Sequence, residues 1–262
     1  LKPALLLDLD DTLVVEVPAA VAAFEATARF AADQQRIDVT TLVAAARSRA
    51  RELWYAAPTH GYSMRVGISS SEALWCRFEG HDSTTRSLRE WSPAYRREAW
   101  RLALADHDID DVELADELGE RFGVERRARH EVFAEVNAAL SELAESHVLA
   151  LVTNGASCLQ REKFAASGLS DYFDVVVVSA EFGVGKPDPS IFRHALSRLG
   201  SNAERAVMVG DSLSRDVDGA IAAGLRAVWL NRLGSPRPDD RPELVEISTL
   251  ADLPAALADD RA

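Results

Sequence analysis

Lysine is almost missing from this 262-residue chain: Lys2, Lys163 and Lys186 are the whole set, and arginine supplies the rest of the 29 basic side chains. Against 42 acidic residues this leaves a formal net charge of −13. No Lys/Arg-rich run offers the basic face that displaces counterions from a phosphate backbone, which excludes nucleic-acid polymers as partners. An anionic small molecule would meet a repelling overall field and needs cations placed locally. Cysteine is scarcer still, with only Cys76 and Cys158. Two cysteines make no disulfide framework, neither stands in a metal-ligand spacing, and both read as small core side chains. Long apolar runs are absent too. Membrane spanning needs ~18–20 such residues, and the run at residues 4–7 meets Asp8 too soon even for the centre of an export signal. What is present is 47% hydrophobic and 27% charged, enough for a sizeable core. At roughly 100–200 residues per domain, the length suits one large domain or one carrying a smaller second. A cytoplasmic protein of enzyme size is expected.

Short apolar runs at residues 4–7, 148–152, 175–178, 206–209 and 227–230, the later four containing β-branched valine, read as buried parallel strands. Helical patterns at 159–167, 189–199 and 216–223 separate the later ones, and Gly168, Gly200 and Gly224 follow those helices where a C-terminus favours glycine. Asp188-Pro189 is a helix start, a capping side chain followed by proline in the first turn. This alternation predicts an α/β fold with a Rossmann-like, doubly wound parallel sheet. Residues 17–146 show helical spacing instead, as at Val21, Phe24, Ala28 and Ala31, and at Val132, Val136, Leu140 and Leu143. They read as an all-helical domain inserted in a core made of residues 1–16 and 147–262. Residues 57–71 and 80–92 are polar and read as connections.

Strand ends at the carboxyl edge of such a sheet carry the site. The first run delivers Asp8 and Asp10, the second Thr153-Asn154-Gly155, and a later one Gly210-Asp211-Ser212 with Asp216 beyond. Parallel strands bring these groups into one crevice. Two carboxylates at ~4 Å repel by about 4 kcal/mol at an effective dielectric of ~20, so protonation or a cation is required. An all-oxygen site that must also admit an anion suits Mg²⁺.

Asp8-Leu9-Asp10-Asp11-Thr12-Leu13, Thr153-Asn154-Gly155, Lys186-Pro187-Asp188 and Gly210-Asp211-Ser212 through Asp216 occur in this order. They resemble the four motifs of the haloacid dehalogenase superfamily of aspartate-nucleophile hydrolases, and the helical insertion resembles one of its cap types. Asp11 stands where many members carry glycine, and is expected to face solvent or support the turn. The resemblance implies that Asp8 attacks phosphorus to form an aspartyl-phosphate. Asp10 would protonate the leaving oxygen and then activate water. Thr153, with N–H groups of Asn154 and Gly155, would hold phosphoryl oxygens, and Lys186 would neutralise the nucleophile and the transferring group. Asp8, the Asp10 carbonyl and Asp211 would bind Mg²⁺, with Asp216 acting through water or behind the ligands.

The implied activity is that of a Mg²⁺-dependent phosphatase acting on a small soluble phosphorylated metabolite, as a monomer or homodimer. A 2-haloacid dehalogenase has no leaving oxygen to protonate, which leaves Asp10 without work. A phosphomutase needs cap groups that hold an intermediate. A phospho-accepting receiver is short and uninterrupted, unlike this chain. In the insertion, Arg65, within the segment His60 to Gly67, is either a partner for a second anionic group of the substrate or an ordinary surface residue. Trp54, Trp75 and Phe78 read as core of the insertion. Asp106, Asp108, Asp110 and Glu117 imitate a calcium loop but lack its glycine, and read better as a helix start capped by Asp110.

Overall fold

The computed structural model describes residues 2–259. Contacts divide the chain into two units: one runs to Val15 and then takes in Glu131–Asn154 and the chain from Lys163 onward, while the other comprises Glu16–His130 and Gly155–Glu162.

The second unit is helical: α1 (Val17–Ala32), α2 (Val39–Tyr55), α3 (His60–Val66), α4 (Ser70–Ala73), α5 (Ser83–Ala105) and α6 (Val112–Arg127). Side-chain carboxylates start three of them, Asp38 accepting from Thr41 N–H, Asp82 from Thr85 N–H and Asp111 from Leu114 N–H. Each such cap contributes about 1 kcal/mol. The cap of α6 is therefore Asp111, one residue later than expected. Residues 57–71 and 80–92 are not plain connections. The first holds α3 and the capping box of α4; most of the second is the front of α5, where Asp82 starts a helix that buries Leu88, Tyr95 and Ala99. Pro93 interrupts α5 without ending it, and Ser92 Oγ donates to the Arg89 carbonyl that the missing N–H would have used. Phe24 packs on Phe122 and Trp100, and Trp54, Trp75 and Phe78 are buried as the sequence suggests.

The first unit is a six-stranded parallel sheet ordered β3-β2-β1-β4-β5-β6. Its strands are β1 (Ala4–Leu7), β2 (Val148–Thr153), β3 (Val175–Val178), β4 (Ala206–Gly210), β5 (Arg226–Leu230) and β6 (Val245–Ile247). Alternate residues feed opposite faces: Leu5 and Leu7 join one core layer, Ala4 and Leu6 the other. α7 (Val136–Ser146) buries Val136, Leu140 and Leu143 in the first layer. By contacts, then, the chain from Glu131 groups with the sheet rather than with the insertion expected to end at 146. The division falls inside α8 (Ser157–Ser167). After α9 (Ser179–Phe182), α10 (Pro189–Leu199) begins as expected, with Asp188 accepting from Ser190 N–H. The helix expected at 216–223 is instead a π turn, Leu213–Val217, followed by the short α11 (Asp218–Ala222). α12 (Leu253–Asp259) closes the described chain. Among the described residues no helix is long and apolar enough to cross a membrane.

Candidate active site

The strand order reverses between β1 and β4, which is where an open α/β sheet places its crevice. Asp8 follows β1 directly and continues the ladder, its N–H donating to Val209 O at 3.0 Å. Asp211 follows β4, and Thr153 is the last residue of β2. Because all three strands are parallel and Leu7 pairs with both Leu151 and Val209, these residues emerge at one edge.

Lys186 ties this edge together. Its ammonium stands 2.6 Å from Asp8 Oδ1 and 2.6 Å from Asp216 Oδ1. The Asn154 carboxamide fixes the loop that carries it, Oδ1 accepting the Lys186 N–H and Nδ2 donating to the Lys186 carbonyl, both at 2.8 Å. Gly185 must lack a side chain there, since a Cβ would lie 2.6 Å from Asn154 Oδ1. Gly210 meets the same demand on the other side, where a Cβ would come within 2.3 Å of the Asp216 carboxyl carbon. Asp216 accepts from Ser212 N–H with its second oxygen. Asp211 is set through its backbone: its N–H donates to Thr12 Oγ1, and its carbonyl accepts from the Trp229 indole at 2.8 Å.

Asp8, Asp211 and Asp216 each offer one oxygen, and these atoms lie within 4.8 Å of one another. Burial pushes the Asp8 carboxyl well above its ordinary value; Lys186 pulls it back, while Asp216, Asp211 and Asp10 push it up again. Asp211 is raised to about 7 by burial and then by Asp216 and Asp11. Burial works against the Lys186 charge, yet Asp216 and Asp8 outweigh it and hold the ammonium above its usual range. One ammonium thus faces three carboxylates. An excess of negative charge in an all-oxygen donor set fits a small hard divalent cation.

Asp10 is engaged differently. Lys163, on α8, donates to both of its oxygens at 3.1 Å while being only 1% exposed. Nothing in the local pattern marked this lysine; the available signal was the scarcity of lysine itself. Thr12 and Trp229 were likewise not assigned work by the sequence. Asp11 adopts a left-handed φ of 56° and donates its N–H to Val14 O, so it supports the turn and explains why glycine suits that position. Two expected site residues fall in the helical unit. Gly155, at φ 138°, already donates its N–H to Val66 O at 3.0 Å, so that donor is committed rather than open to a phosphoryl oxygen. Arg65 is exposed on α3 with its guanidinium 5.6 Å from the centre of the Tyr62 ring.

The sequence profile of haloacid dehalogenase-like hydrolases matches residues 2–224. The chain belongs to this family. A haloacid dehalogenase-like hydrolase is therefore what the strand-end carboxylates and Lys186 build. Among curated relatives, the phosphoserine phosphatase of Thermus thermophilus is 40% identical over 242 residues, covering 92% of this chain and 93% of that protein. Among solved structures, a 2-haloacid dehalogenase from Pseudomonas syringae aligns over 99% of both chains with a TM-score of 0.61 and 31% identity. YfnB of Bacillus subtilis aligns over 98% of both with a TM-score of 0.66 and 21% identity, a likeness of fold.

Proposed function

We propose that this family member is a divalent-metal-dependent phosphatase, with Mg²⁺ as the natural ion, that hydrolyses a small phosphomonoester through a phosphorylated Asp8. The observation that carries this reading is the Asp8 carboxylate, buried 2.6 Å from the Lys186 ammonium, with a second held carboxylate, Asp10, two residues further on. In this reading Asp8 attacks phosphorus while Lys186 favours its ionised form against burial and balances charge on the transferring group. Asp10 gives a proton to the departing oxygen, then takes one from the water that cleaves the acyl phosphate. Lys163 fixes the direction of Asp10. The Thr153 hydroxyl and Asn154 N–H steady the phosphoryl oxygens, and the Asn154 side chain holds Lys186 in place. Asp8, the Asp10 carbonyl and Asp211 would hold the ion, with Asp216, one oxygen facing the Lys186 ammonium and the other accepting from Ser212 N–H, behind them. The ion supplies charge neutralisation and polarisation of a phosphoryl oxygen when bound.

The relative matched over nearly the whole chain is named a phosphoserine phosphatase, which makes phosphoserine the first compound to try, beside sugar phosphates and nucleoside monophosphates. The helical unit acts as the cap that selects among them, with Arg65 a candidate contact for a second anionic group. We place the protein in the cytoplasm, as a monomer or homodimer, with no nucleic-acid or membrane partner. A 2-haloacid dehalogenase is the second reading, favoured by the Pseudomonas syringae neighbour; it leaves the Lys163–Asp10 pair without a task. Purified protein should release phosphate from an aryl phosphate with Mg²⁺ and stop on chelation, and Asp8→Asn should abolish turnover with an unchanged circular dichroism spectrum. Halide release from a 2-haloacid without phosphate release would reverse the choice, and metal-independent phosphate release would remove the ion from the site.

A further inference from the structure

Cys76 and Cys158 are 82 residues apart in sequence, yet their sulfurs stand 3.5 Å apart. Both belong to the helical unit, Cys76 just after α4 and Cys158 in the first turn of α8, and both are free thiols. Their surroundings differ. Cys76 is fully buried, as the sequence suggests, whereas Cys158 is half-buried. Cys158 Sγ accepts from Glu79 N–H at 3.4 Å, and Cys76 Sγ accepts from Phe78 N–H at the same distance. The Cys76 hydrogen bond, ahead of the opposing effect of burial and helped by the N–H groups of Glu79 and Phe78, draws the Cys158 thiol down to about 7. Burial pushes the Cys76 thiol well up. A half-buried thiol that ionises easily, backed at near contact by a fully buried one that does not, is the arrangement of an attacking thiol and a resolving thiol.

We propose that Cys76 and Cys158 form a modification site at which a hydroperoxide is reduced as the two thiols close to a disulfide. The Cys158 thiolate attacks one peroxide oxygen; the O–O bond breaks, and the second oxygen leaves and is protonated to water or, from an organic peroxide, to the alcohol. Cys158 is then a sulfenic acid. The Cys76 sulfur attacks Cys158 Sγ, the S–S bond forms as the S–O bond breaks, and the hydroxyl leaves as water with the Cys76 proton. Two thiols are oxidised to one disulfide and one peroxide is reduced. The sulfurs need to approach by only about 1.5 Å to reach bonding distance.

The test treats the native protein with a small excess of hydrogen peroxide, then denatures it and counts thiols. We expect both thiols to be lost, the intact mass to fall by two hydrogens, and a digest to yield the Cys76 peptide joined to the Cys158 peptide. Dithiothreitol should restore both thiols. In Cys76→Ser, oxidation should halt at a sulfenic acid that dimedone captures on Cys158; in Cys158→Ser, Cys76 should keep its thiol. Retention of both thiols in the wild-type protein, a wild-type sulfenic acid that persists, or a disulfide between two chains in place of the internal one would each overturn the proposal. The wild-type measurements decide it even where a variant folds poorly.

Discussion

In the sheet unit Lys163 and Lys186 are 1% and 5% exposed, and each faces carboxylates. In the helical unit, ion pairs such as Arg49 with Asp106 and Arg97 with Asp116 stand in solvent, while Phe24, Trp100 and Phe122 fill the interior. Arg126 with Glu16 is a buried exception in the helical unit. Enclosing an ion is unfavourable unless partners meet it closely, and an apolar replacement of similar volume often serves stability as well or better. Charge kept inside a fold thus points to chemistry, and rings kept inside point to packing. The charges inside the first unit can be read for a mechanism; the rings inside the second, for a shape.

The contrast is testable, beginning with its strongest element. Lys186→Met should lower turnover on an aryl phosphate by ~10³-fold or more. In chelator at pH 8 it should also lower stability by about 3–5 kcal/mol, because two buried carboxylates lose their partner; the loss should shrink at pH 5, where Asp8, held by burial well above its ordinary value, can be protonated. Arg49→Met, an equal change at a solvent-exposed pair, should leave turnover and the denaturation midpoint unmoved, and a large effect there would erase the distinction between the units.

Lys163→Met comes next. If the lysine aims Asp10, kcat should fall ~10²-fold with KM little changed, and Lys163→Arg should recover part of the loss. A change in KM alone would make Lys163 a scaffold residue.

Asp211 sharpens the comparison through pH. In metal-free protein its carboxyl is raised to about 7, by burial first and then by Asp216 and Asp11. Between the ordinary carboxylate range and about pH 7 the folded protein binds a proton that the unfolded chain has lost. That stabilisation is complete at low pH and disappears as pH rises through 7. In chelator, Asp211→Asn should therefore match the wild type near pH 4 and exceed it at pH 8, by about 2 kcal/mol once partial exposure is allowed for. The opposite sign would mean that the pocket is not overloaded with negative charge.

The smallest effect belongs to the helical unit. The buried Tyr95 hydroxyl donates to the carbonyls of Ser70 and Ala50. Tyr95→Phe should cost about 1–2 kcal/mol in urea denaturation and leave kcat alone.

The strand ends were legible because each short apolar run stops abruptly at polar residues, and a parallel sheet leaves such stops only one edge to share. Asp8, Thr153 and Asp211 were read that way, whereas Lys186 was reached through the resemblance of its Lys-Pro-Asp segment to a family motif. Lys163 was not, since helical spacing within α8 does not tell which position meets a carboxylate 153 residues earlier. The meeting of Cys76 with Cys158 escaped for the same reason: nearness across the chain leaves no local trace. α3 and the front of α5 were missed because polar composition was weighed above caps, although Asp82 was visible. β6 has three residues, too few to show a period.

The rarity of lysine has a practical side. Lys163 and Lys186 are enclosed by their carboxylate partners, whereas Lys2 lies exposed, its ammonium resting on the Ala144 carbonyl. Amine-coupling reagents offered to the folded protein should accordingly find a single lysine. A fluorophore or sensor surface attached there would hold every molecule by the same point and leave the Lys186 ammonium unmodified.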